Sequence, residues 1–257
     1  MLLTVDVGNT TTAAAVFAGE AIVHRGRVPT PASWTARHFA RLLPGGVAAE
    51  VSAAIVSSVV PRLDRDLAAT VRKACGRFPV FLDSRTDTGI ALKIDRPSQL
   101  GADRIADCAG ALALFPPPLI VIDSGTATTF DLLDAGGAYC GGCILPGIAI
   151  AIQSLADNTA KLKPVAFAVP RSAKGTNTAD SIRAGVYFGY IGALRHLISL
   201  YREMLGPRSR VVATGGLLSH FKDSVPGIDA CEPDLIFIGL RRIFQLRQAR
   251  RAKSHGQ

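Results

Sequence analysis

Tryptophan occurs once and aromatic residues make up only 6% of the chain. No apolar run reaches the roughly 18 residues that a membrane-crossing helix needs. The longest candidate, Cys143–Ile152, is interrupted by Pro146 and Gly147. The opening MLLTVDVG has neither the charged n-region nor the small-residue cleavage site of a secretory leader, and reads instead as a buried strand. A cytoplasmic protein without a membrane partner is the expectation. Five cysteines are scattered without a disulfide framework, which suits a reducing compartment. Cys140-Gly-Gly-Cys143 has the spacing of a metal-ligand pair, but no second Cys or His pair lies nearby, so strand packing explains it better. Acidic residues are fewer than basic ones, 20 against 29, for a net charge of +9. Six of the basic residues (Arg241, Arg242, Arg247, Arg250, Arg251, Lys253) crowd the C-terminal stretch, and without them the excess is only +3. The one aromatic among them, Phe244, belongs to the apolar side of the helix, so a solvated helix face is expected and not a nucleic-acid surface.

What the sequence has in abundance is a repeat. Leu2–Ala21 lies without a gap on Leu119–Ala138, and from Asp6 onward seven of sixteen positions are identical. The shared skeleton is an apolar strand, Asp-x-Gly-x-x-Thr-Thr, and a second strand reaching a turn at Gly19 or at Gly136-Gly137. Glycine after an acidic residue lets the backbone turn without a Cβ clash, so amide hydrogens and Thr hydroxyls can close on phosphate oxygens while the Asp faces a cation. Two such hairpins facing each other would make a nucleotide cleft.

Around the repeat the pattern reads β-β-β-α-β-α, twice. Strands are expected at 2–7, 13–17, 21–28, 53–57 and 80–82, with helices from Ser33 or Thr35 to Leu43 and from Pro61 to Cys75. After Pro-Pro-Pro at 116–118 the strands recur at 119–122, 128–133 and 139–145, followed by helices at 147–156 and 178–204, a strand at 210–213 and a terminal helix from Pro233. The expected domains are 1–115 and 116–248, with 249–257 a disordered basic tail. The apolar side of the terminal helix (Leu235, Ile236, Leu240, Ile243, Phe244) should dock on the adjacent sheet. This plan, with Thr214-Gly215-Gly216 after a strand, resembles the actin/hexokinase-like (ribonuclease H-like) phosphotransferase fold: α/β, duplicated, two domains facing across a cleft.

Pro97–Asp107 (PSQLGADRIAD) narrows the reading. Ser98 is a candidate N-cap, and Ile105, Cys108, Ala109 and Leu112 recur as one apolar stripe, leaving Asp103 and Asp107 opposite it. Gly101 early in a helix costs stability unless something approaches its backbone closely. Gly185, Gly189 and Gly192, near-aligned on the long helix, likewise ask for a close neighbour, within the subunit or across a dimer interface.

Asp6-Val-Gly-Asn-Thr10, Gly101-Ala-Asp-Arg104, Asp123-Ser-Gly-Thr-Ala-Thr-Thr129, Gly141-Gly-Cys-Ile-Leu-Pro-Gly147 and Thr176-Asn-Thr178, in this order and at these intervals, resemble the type III pantothenate kinases over nearly the whole chain. The resemblance implies ATP-dependent phosphorylation of pantothenate to 4′-phosphopantothenate, Mg²⁺ with ATP, a monovalent cation (K⁺ or NH₄⁺) and a cytoplasmic homodimer. It implies that Asp6, Val7, Gly8, Asn9, Thr10, Thr11, Thr12 and Ala13 wrap the triphosphate, with Asp6 facing Mg²⁺ through water and Thr126 touching ATP. Asp103 is then the general base. Gly101, Ala102, Asp103, Arg104 and Thr178 line the pantothenate site, and Asp123 holds the monovalent cation. Where the family often has an aromatic before Asp-Asn-Pro, this chain has Ile94. Two other readings of the same residues are a non-catalytic relative acting as a transcriptional accessory factor and a same-fold kinase for another small substrate.

Overall fold

The structure, a computed structural model, describes residues 1–83 and 86–255. It divides into two compact units, Met1–Leu114 together with the segment from Asp234 onward, and Phe115–Pro233.

In the first unit, β1 (Leu2–Val7), β2 (Thr11–Ala18) and β3 (Ala21–Pro29) form an antiparallel meander, and β4 (Ala53–Ser58) and β5 (Val80–Phe81) add in parallel beside β1. The sheet order is β3-β2-β1-β4-β5. Between β3 and β4 stand α1 (Ala36–Leu42) and a one-turn α2 (Gly45–Ala49). Thr35, one of the two expected caps, accepts from the His38 amide to start α1. Pro61–Leu63 forms a 3₁₀ turn ahead of α3 (Asp64–Cys75). That helix carries Asp64 and Asp66 in its first turn and Arg72 and Lys73 in its last, complementing the macrodipole, and it stops at Gly76 in the left-handed region (φ 70°). The last element of this repeat is α4 (Ala102–Leu114).

Burial explains why the β2 side chains are apolar at nearly every position instead of alternating. Leu3, Val5, Val7, Ala14 and Val16 pack under α1, α2 and α3, with Trp34, Phe39 and Leu67. The opposite face, Ala13, Ala15, Phe17 and Ile55, is covered by helices as well. A sheet covered on both faces has no wet side to encode.

The second unit repeats the plan. Its strands β6 (Leu119–Ser124), β7 (Ala127–Leu133), β8 (Tyr139–Pro146), β9 (Arg210–Thr214) and β10 (Ala230–Cys231) lie in the order β10-β9-β6-β7-β8, with β6 antiparallel to β7 and parallel to β9. Here α5 (Ile148–Asp157) and the long α6 (Thr178–Leu205) take the place of α1 and α2, and pack with Ile120, Ile122, Phe130 and Val211 in one core.

The chain closes with α7 (Leu235–His255), and here the structure corrects two expectations. Residues 249–255 are helical and not a disordered tail; residues 256 and 257 lie outside the described residues. The apolar side of α7 docks on the sheet of the first unit, to which α7 belongs, so 234–248 are not part of the expected second domain 116–248. Leu240 and Ile243 join Ile55, Ile105 and Ala109 in the first unit, and Phe237 joins Ala13, Ala15 and Phe17. The final helices of the two repeats, α4 and α7, cross with backbones in contact. A Cβ at Gly239 would run into the Ala106 carbonyl oxygen, and one at Gly110 into the Leu235 carbonyl oxygen.

Candidate functional site

The first of the two repeated hairpins is held by backbone. Val7 pairs with Thr12, and the turn closes with the Gly8 amide donating to the Thr11 carbonyl at 3.0 Å. Thr30, just beyond β3, braces it twice: its amide donates to the Thr10 carbonyl at 2.9 Å and its hydroxyl to the Gly8 carbonyl at 2.7 Å. The Thr12 hydroxyl is fully buried and lies 3.0 Å from the Thr30 hydroxyl. Thr12 thus stiffens the loop from inside, and Ala13 is buried beside it, while Asn9 and Thr10 stand exposed at the tip and Thr11 is half-buried. Asp6 is half-buried at the end of β1, in register with Ala13 on one side and Ser57 on the other. Register partners point to one face, so Asp6 and the fully buried Ser57 hydroxyl share a side of the sheet.

Gly101–Arg104 come to the same end of this unit. The Val59 amide donates to the Val7 carbonyl at 3.1 Å, and a Cβ on Gly101 would lie 3.9 Å from Val59 Cγ1. The nearest neighbour of a Cβ at 101 would be the end of the Asp103 side chain. Its Oδ1 folds back over Gly101, where a Cβ would collide with it, and accepts from the Arg104 amide at 2.8 Å. The carboxylate therefore sits at the first turn of α4, where free amides and the macrodipole favour negative charge. Gly101, Ala102, Asp103 and Arg104 are all half-buried.

Two details of this segment differ from the sequence reading. Ser98 is not an N-cap; Pro97–Gln99 forms a separate 3₁₀ turn and α4 begins only at Ala102. Asp107 is not on a solvated face either, being 3% exposed. Beyond its first turn α4 is enclosed between α7 and the sheet, with Ile105–Ala111 buried without a break.

The second hairpin is one residue tighter than the first. Ser124 pairs with Thr128, leaving 125–127 in the turn, whereas the first turn spans 8–11. The ungapped alignment therefore slides by one at the threonines, and the structural counterpart of Thr12 is Thr128, not Thr129. The Gly125 amide donates to the Ala127 carbonyl at 3.0 Å, and Gly147, ahead of α5, donates to the Thr126 carbonyl at 3.2 Å. Gly147 and Gly215 both lie where a Cβ would strike this loop, at Thr126 and at Ser124 respectively, which accounts for the second glycine-rich stretch after β9. Asp123 is half-buried and Thr126 exposed. Thr178 is exposed at the start of α6, whose cap is Asn177, accepting from the Asp180 amide at 2.9 Å.

Sequence reasoning missed Tyr190. From α6 its buried hydroxyl lies 2.9 Å from the Ser124 hydroxyl and 2.7 Å from that of Thr128, bridging the last rung of the hairpin. Burial pushes its phenol above the ordinary pKa of 10; the two hydroxyl bonds oppose the shift and the Asp123 charge adds to it. No local pattern links positions 66 residues apart, so only Ser124, standing where the first repeat has Val7, hinted at a difference.

The glycines of α6 are the reverse of what packing within the subunit would require. Positions 185, 189 and 192 have nothing within 4 Å of where a Cβ would stand. They lie along an exposed stripe with Phe188 and Leu200.

Among the described residues no helix is long and apolar enough to cross a membrane, and no cluster of three or more His, Cys, Asp or Glu side chains forms a metal site. Asp6 shares its sheet face with the Ser57 hydroxyl, and carboxylate and hydroxyl oxygens are the donors that hard cations take.

A family model described as type III pantothenate kinase matches residues 2–200. The type III pantothenate kinase of Dehalococcoides mccartyi strain 195 is 37% identical over 254 residues, covering 96% of this chain and 98% of the relative. Among solved structures, a Campylobacter jejuni protein described as a Baf family transcriptional activator superposes with a TM-score of 0.63 at 19% identity, covering 96% of this chain and 99% of that one. MreB 5 of Spiroplasma citri, bound to AMPPNP, gives 0.51 at 11% identity, covering 100% and 98%. At such identities these two establish the duplicated actin-like fold and nothing further.

Proposed function

The chain belongs to the type III pantothenate kinase family, and on that premise we propose how its residues divide the work. It phosphorylates pantothenate at the expense of ATP, giving 4′-phosphopantothenate and ADP, the first step toward coenzyme A, with a divalent metal. In our reading the metal is Mg²⁺, held at the Asp6 carboxylate through water, where it would neutralise phosphate charge. The tip of the first hairpin binds the triphosphate: the Gly8–Thr11 backbone with the Asn9 and Thr10 side chains. Thr12 and Ala13 serve from beneath as supports. Thr126 contributes from the second hairpin.

Asp103 accepts the proton of the attacking pantothenate hydroxyl as its oxygen forms the new bond to the γ-phosphorus and ADP leaves. A loose transition state asks mainly for positioning and charge neutralisation, so one well-held carboxylate suffices as base. The observation that carries this reading is the Asp103 carboxylate folded over Gly101 at the end of the unit where Val7 leads into the first hairpin turn and the Val59 amide bonds to the Val7 carbonyl. Arg104 pairs with the pantothenate carboxylate or a phosphate, and Thr178 meets pantothenate from α6. Asp123 holds K⁺ or NH₄⁺.

The open stripe of Gly185, Phe188, Gly189, Gly192 and Leu200 supports a homodimer, since glycines that nothing crowds in one subunit allow a second backbone to approach. Light scattering on the purified protein tests it, and a monomer at micromolar concentration refutes it. We infer a cytoplasmic enzyme without nucleic-acid partners, consistent with its substrates. Incubation with ATP and pantothenate, followed by mass spectrometry, tests the activity: pantothenate gains one phosphoryl group. ATP hydrolysis without a phosphorylated product would refute it. The Campylobacter likeness is one of fold and favours no regulatory role.

A further inference from the structure

The two hairpins are braced by different parts of the fold. In the first, Thr12 is tied to Thr30, the residue immediately after the neighbouring strand. In the second, the cross-strand partners Ser124 and Thr128 are both tied to one phenol on α6. All three groups are buried, Ser124 and Thr128 completely. A hydroxyl inside a protein is costly to leave without a partner, so three that satisfy one another lock together.

We propose that Tyr190 is a positioning residue of the second phosphate hairpin. By bridging Ser124 and Thr128 it fixes the turn at 125–127 and the direction of the adjacent Asp123 carboxylate, and it anchors both to α6, whose first residue is Thr178. The helix is a stiff connection: twelve residues at about 1.5 Å each separate Thr178 from Tyr190 by about 18 Å. Gly189 and Gly192 lie close by on the exposed side of the same helix turns, so the bracing of the cation-facing loop and the open stripe are back to back. The first repeat cannot copy this device, because Val7 stands where Ser124 does and offers no hydroxyl.

The inference rests on the assignment of Asp123 to the monovalent cation for its kinetic consequence, but not for its structural one. Tyr190→Phe removes one oxygen and keeps the ring. Amide exchange of Gly125–Ala127 should accelerate about threefold to tenfold, as loss of one hydrogen-bonding partner implies. The K⁺ concentration for half-maximal turnover should rise by a similar factor, with the KM for ATP unchanged. The triple variant Ser124→Ala, Thr128→Val, Tyr190→Phe leaves no buried hydroxyl unpaired and should recover the urea midpoint lost by Tyr190→Phe while keeping the raised K⁺ requirement. Recovery of both would reduce the bridge to a stability element and overturn the proposal, as would unchanged exchange at 125–127. Asp123→Asn, measured alongside, isolates the premise. If it leaves K⁺ activation untouched, the cation assignment fails, and the exchange rates alone decide the role of Tyr190.

Discussion

The α carbon of Gly239 faces the carbonyl oxygen of Ala106 so closely that no side chain fits between α7 and α4. This crossing joins the last helix of each repeat, and α4 carries Asp103 at its start. Gly239→Ala should destabilise by about 1–3 kcal/mol, since neither backbone can yield without moving its helix. A urea midpoint indistinguishable from the parent would show that the crossing adjusts freely.

The duplication predicts a division between ions. Asp6→Asn should chiefly raise the Mg·ATP requirement, and Asp123→Asn should chiefly abolish activation by K⁺. Velocity measured against each ion separately resolves the two, and identical responses of both variants to both ions would contradict the assignment.

Much of this arrangement could be read in advance, and the failures have definite causes. The two meanders were legible because short apolar strands bounded by glycine have no helical alternative, whereas Gly101 stands just before α4 and not inside it, and its near neighbour is the movable end of the Asp103 side chain. The shorter second turn was hidden because consecutive threonines align equally well in either register. The partner of α7 was missed because an apolar stripe records that a helix is buried and not against what. Asp107 was misread for a related reason: periodicity marks one face of α4, whereas packing on the sheet and on α7 encloses nearly all of it. The Tyr190 bridge leaves no periodic trace at all.

Alkaline stability should report on that bridge. The folded state holds the Tyr190 proton more tightly than the unfolded chain, so the phenol's contribution is fully present below about pH 10 and is lost as pH rises through the folded value. The urea midpoint of the parent should fall more steeply above about pH 10 than that of Tyr190→Phe. Parallel curves would mean that the phenol ionises as freely in the folded protein as in the unfolded one.

Ile94 is half-buried shortly before the 3₁₀ turn that leads to Gly101 and Asp103. An aliphatic group neither stacks on pantothenate nor hydrogen-bonds it. Ile94→Tyr should lower the KM for pantothenate by a factor of about three to ten, one polar contact, and leave that for ATP alone. Titration at saturating ATP and K⁺ checks this; an unchanged or raised value would separate this segment from the substrate.

The account stands most directly on the carboxylate of Asp103. Asp103→Asn preserves shape and can still accept the Arg104 amide through its carbonyl oxygen, but it cannot take a proton from the attacking hydroxyl. Steady-state formation of 4′-phosphopantothenate, measured with ATP binding followed in parallel by calorimetry, should show turnover lower by about 10² to 10⁴ with ATP affinity unchanged. Turnover within a few-fold of the parent would mean that another group is the base.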